Sequence, residues 1–209
     1  MKKQILFSSF VLSAMVLSSG IWNNLSQAAA LQPDPGASLS PNVQMHAYEF
    51  LDLVPVGHMA PDFIAKTAYK KPFHLASLKG HKNAVIIFYQ GSFCPVCGEQ
   101  LENFQANLDK FKALDTEIIA VSADDTTHAM QSIAEHGLQF TVIPDTDKSV
   151  IKKFGVSNVG KEGLAWPALY IIDKTGKARL SFAKDDGHRL HSGEVLPMLT
   201  QIVGKAKKH

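Results

Sequence analysis

The chain has two cysteines, Cys94 and Cys97, in the run Phe88-Tyr89-Gln90-Gly91-Ser92-Phe93-Cys94-Pro95-Val96-Cys97. Thiols at this spacing can close a reversible disulfide and divide the roles of nucleophile and resolver. An apolar run precedes them and a helical pattern follows, so Cys94 falls at a strand-to-helix turn. Pro95 then takes the first helical position, where its missing N–H has no intrahelical partner to lose. A thiol there faces unpaired N–H groups and the positive end of the helix dipole, both favouring thiolate. Cys97 lies one turn further in, on the buried stripe. The outer sulfur is expected to attack and the inner one to close the disulfide. A bridge around Pro95 and Val96 alone removes little loop entropy from the unfolded chain, so it is a poor staple and better suited to redox turnover.

The flanking elements alternate. Ala84-Val85-Ile86-Ile87-Phe88-Tyr89 is a continuous apolar run, as in a strand buried on both faces. Cys97, Leu101, Phe104, Leu108 and Phe111 recur on one face of a helix. Glu117–Val121 reads as a strand and Thr126–His136 as a helix closed by Gly137. Phe140–Ile143 is a short strand, followed by a helix over Lys148–Phe154 that Gly155 ends. Ala168–Ile172 and Ala178–Phe182 flank the hairpin link Asp173-Lys174-Thr175-Gly176, and Glu194–Val203 is the final helix. The expected fold class is α/β, a mixed central sheet flanked by helices on both faces.

A net charge of +2 is too near neutral to suggest a nucleic-acid surface, and the basic tail 205–209 reads as a solvated end. Met1-Lys2-Lys3, an apolar stretch from Ile5 to Trp22 and the run Ala28-Ala29-Ala30 form the three-part pattern of a signal peptide over 1–30. Serines and Gly20 interrupt the stretch, which favours cleavage after Ala30 over an uncleaved membrane anchor. The expected location is periplasmic or secreted, where a thiol pair rests as a disulfide until reduced. Residues 31–55 read as a linker and N-terminal extension, with a short helix within Val43–Val54. The folded domain is expected over 56–204. None of the nine histidines falls into a zinc spacing with the cysteines, so no metal is expected, His188 and His191 included. Nor is any cofactor beyond the Cys94–Cys97 disulfide.

From Gly57 to Phe182, about three-fifths of the chain, the sequence resembles the redoxin (AhpC/TSA) branch of the thioredoxin-fold superfamily, especially its peroxiredoxin-like group. The matching features are Ala60-Pro61-Asp62-Phe63, Leu75-Ala76-Ser77-Leu78-Lys79-Gly80, Gly91-Ser92-Phe93-Cys94-Pro95-Val96-Cys97 and Val121-Ser122-Ala123-Asp124. His136-Gly137-Leu138, Pro144-Asp145-Thr146-Asp147 and Trp166-Pro167-Ala168 follow in order. The resemblance implies a thioredoxin fold in which Pro167 is a cis-proline facing the cysteines, with Phe93, Pro95, Trp166 and Pro167 along a substrate groove. A core tryptophan is the competing reading of Trp166.

The sequence departs from that group at several places. Gln90 stands where the group often has arginine, and Phe93 where it has tryptophan. Peroxiredoxins proper hold peroxide with a Pro-x-x-x-Thr/Ser-x-x-Cys run; Ile87 and Gly91 occupy those positions here. Ser92 is one residue off, and Arg189 is the candidate for a distant cation that polarises peroxide. Phe88 replaces the acid that thioredoxins carry on this strand, leaving Glu99 and Glu102 as candidates for proton relay. An exposed surface is the plainer reading of Glu99, Glu102 and Arg189.

Three functions follow. The first is an exported thiol–disulfide oxidoreductase, with protein disulfides or thiols as substrate. The second is a thiol-dependent peroxidase using the same sulfurs in the same order. The third is a Cu(I)-binding thioredoxin-like protein. The missing peroxide cradle sets the first ahead. The uncharged Pro95-Val96 points to a reductant fed by an upstream thiol donor.

Overall fold

The strand Asn83–Phe88 has all six side chains buried and runs through the centre of the molecule's main sheet. The computed structural model describes residues 44–45, 51–158, 163–183 and 188–206. The expected signal peptide, most of the linker and the last residues of the basic tail lie outside them. In chain order the elements begin with β1 (Gln44–Met45), β2 (Ile64–Lys66), β3 (Pro72–His74), a 3-10 turn (Leu75–Leu78) and β4 (Asn83–Phe88). Then come α1 (Pro95–Ala106), α2 (Leu108–Ala113), β5 (Thr116–Ser122), α3 (Thr126–His136), β6 (Thr141–Pro144) and α4 (Ser149–Lys153). β7 (Ala168–Ile172), β8 (Ala178–Ala183) and α5 (Ser192–Ala206) complete the chain.

The main sheet has the order β1-β8-β7-β4-β5-β6. β4, β5 and β6 are parallel, β7 is antiparallel to β4 and β8, and β1 is parallel to β8. Side chains alternate along β4. Val85, Ile87 and the following Tyr89 join Cys97, Phe104 and Phe111 under the helices of one face. Ala84, Ile86 and Phe88 join Phe154 and Tyr170 on the other. There Phe88, Phe154 and Tyr170 form a ring cluster with centroids 5.1 to 5.9 Å apart, and the Tyr170 hydroxyl donates to the Phe154 carbonyl at 2.6 Å. An apolar run of this kind can stay dry only with both faces covered, as the α/β pattern implied.

Two expected elements differ. The helix expected to run unbroken from Cys97 to Phe111 breaks at Asn107, whose side-chain amide donates to the Asn103 carbonyl (3.1 Å) and to Ser192 Oγ (2.9 Å). The apolar stripe survives the break, and all five stripe residues remain buried together. No helix forms in the described part of Val43–Val54. Gln44–Met45 pairs with Ser181–Phe182, and Leu51, Leu53 and Val54 are buried in the second core. The packed unit therefore reaches back before Val56.

Gly155 makes that packing possible. Its φ is +67°, and a Cβ there would fall on the Asp52 backbone carbonyl. Gly155→Ala should cost at least about 1–2 kcal/mol for the left-handed backbone alone, read as a lower urea midpoint. An unchanged midpoint would mean that Leu51–Val54 does not pack as described. At the β7–β8 turn, burial pushes the Asp173 carboxyl up, but hydrogen bonds from Thr175, the Lys177 N–H and Arg179 outweigh it and hold the group below its usual value. A lowered carboxyl stabilises above the unfolded value of about 3.9, and that stabilisation is lost as pH falls through the folded value. Asp173→Asn should therefore weaken the protein near neutral pH, and the difference from wild type should vanish in strong acid.

Candidate active site

The site is built where β4 ends. Tyr89 still donates to the Val121 carbonyl (3.1 Å), and the chain then turns. The Cys94 N–H closes the turn on the Gly91 carbonyl at 3.2 Å. Cys94 is extended (φ −99°, ψ 104°) and caps α1, with Pro95 as its first residue and no acidic side chain in its first turn. Its carbonyl accepts from Cys97 (3.0 Å) and Gly98 (3.1 Å). Cys94 and Cys97 are joined by a disulfide with Cα atoms 5.2 Å apart. Cys94 is half-buried and Cys97 is 0% exposed, matching the outer and inner positions read from the sequence.

Phe93 (62% exposed) and Val96 (51% exposed) flank the outer cysteine with apolar surface, and Pro95 is exposed beside them. Ser92 and Gln90 are half-buried. Ser92 is tied into the loop through its backbone, its N–H donating to Asp124 Oδ2 at 2.9 Å. Glu99 is exposed on α1. Arg189 is half-buried, and burial lowers its guanidinium from the ordinary value. Its segment is docked on α1 by Gln100, whose amide donates to the Leu190 carbonyl (2.9 Å), and by Asn103, which accepts from the Ser192 N–H (2.8 Å).

Pro167 corrects an expectation. All described peptide bonds are trans, the one before Pro167 included. Ser157 and Ala165 form an antiparallel bridge, and the Trp166 N–H donates to the Val156 carbonyl (2.6 Å) shortly before β7. The Ala168–Phe88 register still sets Pro167 at the cysteine end of the sheet. Trp166 packs against the core on the face away from α1, as a core tryptophan would.

Further polar residues lie along the turn before Cys94 and beside α1, with no role assigned to Asp124, Tyr89 or His136 by the local sequence. Asp124 lies just beyond β5 and also accepts from the Ser122 hydroxyl at 3.0 Å. Burial raises its carboxyl, against the pull of the Ser122 and Ser92 hydrogen bonds. The Tyr89 hydroxyl is buried near Ser122 and Ser132, and burial pushes it up to about 12. His136, 20% exposed at the end of α3, pairs with Glu102 at 2.8 Å. A Cβ on Gly98 would lie 2.6 Å from the His136 Nε2, so the imidazole rests on bare backbone beside Cys97. Glu102 is thus engaged with this ring. His188 and the His191 N–H both meet Glu194, at 3.7 and 2.9 Å. Among the described residues no cluster of three metal-ligating side chains forms.

A redox pair at the start of a helix, on a mixed sheet covered on both faces, defines a thioredoxin-fold thiol oxidoreductase. Residues 56–181, more than half of the chain, match the model of the AhpC/TSA family, and the chain belongs to that family. Peroxiredoxin Q, chloroplastic, of Suaeda salsa is 28% identical over 179 residues, covering 85% of this chain and 83% of that protein. 2-Cys peroxiredoxin BAS1, chloroplastic, of Hordeum vulgare is 33% identical over 135 residues, 60% of this chain and 64% of its own length. The fold is shared with the peroxidoxin BcpB of Mycobacterium tuberculosis, at a TM-score of 0.66 and 19% identity, over 71% of this chain and 98% of that one.

The difference in burial has a direct readout. In reduced protein a small alkylating agent should modify Cys94 at least about tenfold faster than Cys97, resolved by peptide mass spectrometry. Equal rates would remove the distinction between outer and inner sulfur.

Proposed function

We propose that the chain is a thiol-dependent peroxidase in which Cys94 reduces a peroxide and Cys97 resolves the product. Of the functions expected from the sequence, this was the alternative; membership of the AhpC/TSA family and the peroxiredoxin relatives support it over the first reading. The observation that carries it is the bridge between a half-exposed cap cysteine and a sealed one in the first turn of the same helix. The Cys94 thiolate attacks one peroxide oxygen and the O–O bond breaks. The sulfur becomes a sulfenic acid, and the other oxygen leaves as water or alcohol after taking a proton. The Cys97 sulfur then attacks the Cys94 sulfur, the S–S bond forms, and water departs. With Cα atoms 5.2 Å apart, inside the usual disulfide range, this step needs no unwinding of α1. An upstream thiol donor returns two electrons and two protons to the bridge. The redox work rests on the two sulfurs alone.

One observation favours thiol–disulfide exchange as a second reading. A Cβ on Gly91 would lie 2.8 Å from Asp124 Oδ1 and 2.7 Å from the Phe93 ring. No hydroxyl-bearing side chain fits at 91 without displacing them, and Ile87 is fully buried in β4. The bare loop, with exposed Phe93 and Val96, suits an extended partner chain better than a small polar peroxide. The Cu(I) reading asks for two accessible thiolates, which the burial of Cys97 opposes.

Export into the periplasm or beyond the cell is part of the proposal. The apolar stretch Ile5–Trp22 behind Lys2-Lys3 and the Ala28-Ala29-Ala30 run support it. Transit peptides are rich in arginine, and no arginine precedes Arg179 in this chain.

Stopped-flow oxidation of the reduced protein, with hydrogen peroxide in one series and a mixed disulfide in the other, separates the two readings. Peroxide should react at least about tenfold faster than with free cysteine at the same pH. A rate no faster than free cysteine ends the peroxidase reading and leaves exchange. Cys94→Ser should abolish turnover, whereas Cys97→Ser should complete the first oxidation and accumulate sulfenate.

A further inference from the structure

The turn that presents Cys94 is folded around a carboxylate from another strand. Parallel pairing of Phe88 with Val121 brings the ends of β4 and β5 side by side. Asp124, beyond β5, thereby meets Gly91 and Ser92, beyond β4. Its Oδ2 accepts from the Ser92 N–H (2.9 Å) and the Ser122 hydroxyl (3.0 Å). Its Oδ1 occupies the space into which a side chain at 91 would project, 2.8 Å from the Cβ position. The Thr146 hydroxyl donates to the Asp124 carbonyl at 3.2 Å. The same turn closes through the Cys94 N–H on the Gly91 carbonyl. A carboxylate, a backbone donor and a glycine that leaves it room form one unit, two residues before the reacting sulfur.

We propose that Asp124 is a positioning residue for Cys94: its carboxylate clamps the Gly91–Cys94 turn and its negative charge restrains ionisation of the thiol. The inference rests on Cys94 being the reacting sulfur, as in the function proposed above. The clamp holds the sulfur at the start of α1, where the positive end of the helix dipole favours thiolate. The charge acts in the opposite sense, because a nearby anion disfavours a second one. Asp124 therefore fixes where the sulfur stands and limits how much of it is thiolate. The other charged or titratable groups that bear on the carboxyl are His128 and Asp125 of the α3 start, paired with each other at 2.9 Å, and the Tyr89 hydroxyl from β4. Among the described residues Asp124 is in no ion pair that neutralises it.

Both roles can be read without any peroxide, on the full chain carrying Cys97→Ser so that Cys94 titrates alone. Asp124→Asn keeps an oxygen acceptor for Ser92 and removes the charge; Asp124→Ala removes both. In the asparagine variant the thiol, followed by thiolate absorbance in the ultraviolet, should titrate about half a pH unit lower than in the parent. Amide hydrogen exchange at Ser92 should stay near the parent rate in that variant and rise at least about tenfold in the alanine variant. A thiol titration that is unchanged or higher in the asparagine variant, or Ser92 exchange unaffected by alanine, overturns the proposal. Because neither readout involves substrate, a failed peroxidase assay leaves this test standing, and the reverse holds too.

Discussion

The start of α1, with a sulfur set against the positive end of the helix dipole, is the feature on which the other parts of this structure depend. Pro95 has no N–H and the Cys97 and Gly98 N–H groups donate to the Cys94 carbonyl, so the aligned peptide dipoles of the helix carry the effect at its extended cap residue. Cys94 fills that place without making a side-chain cap bond. The arrangement has value only if α1 cannot drift. It is held from below by Leu101 and Phe104 in the core. It is held from the sides by Gln100 on Leu190, Asn103 on Ser192, and the His136 ring on Gly98. These contacts come from α3 and from the segment leading into α5, so distant parts of the chain converge on one helix.

The two sheet faces divide the labour. The face bearing α1 contains Cys97 and seals the inner sulfur among apolar side chains. The opposite face carries the ring cluster of Phe88, Phe154 and Tyr170, which makes β4 a rigid platform ending at the redox turn. Neither face supplies a hydroxyl to the sulfur from positions 87 or 91, where peroxiredoxins proper have their proline and hydroxyl-bearing residue. Asp124 occupies the space that a side chain at 91 would need. A relative that lacks the usual cradle yet keeps the helix start, the cysteine pair and the sheet would still make a reactive thiol.

What was legible in the sequence follows from local physics. Buried strands announce themselves as unbroken apolar runs, and β4, β5 and β7 fall within a residue or two of those runs. The cysteine pair was legible because cap, proline and stripe lie within a few residues of one another. The Asp124 clamp was not, since it joins residues 32 apart in sequence, and only the parallel register of β4 and β5 makes them neighbours. The motif Val121-Ser122-Ala123-Asp124 had been noted as a likeness, but nothing local says where its carboxylate points. His136 was hidden for a similar reason: its partner Glu102 lies 34 residues away, and the room for its ring comes from the bare backbone of Gly98. The cis expectation at Pro167 rested on the resemblance alone, since nothing in the residues around it calls for that isomer, and the bond is trans.

The central claim is that the two sulfurs pass between bridged and free forms while the fold stays intact. Equilibration of the purified protein in graded mixtures of reduced and oxidised dithiothreitol, with thiol counting by intact mass and circular dichroism on the same samples, tests it directly. The account calls for two thiols to appear in one reversible transition with unchanged secondary structure. A bridge that resists reduction until the protein unfolds would contradict it and leave a scaffold with an inert crosslink.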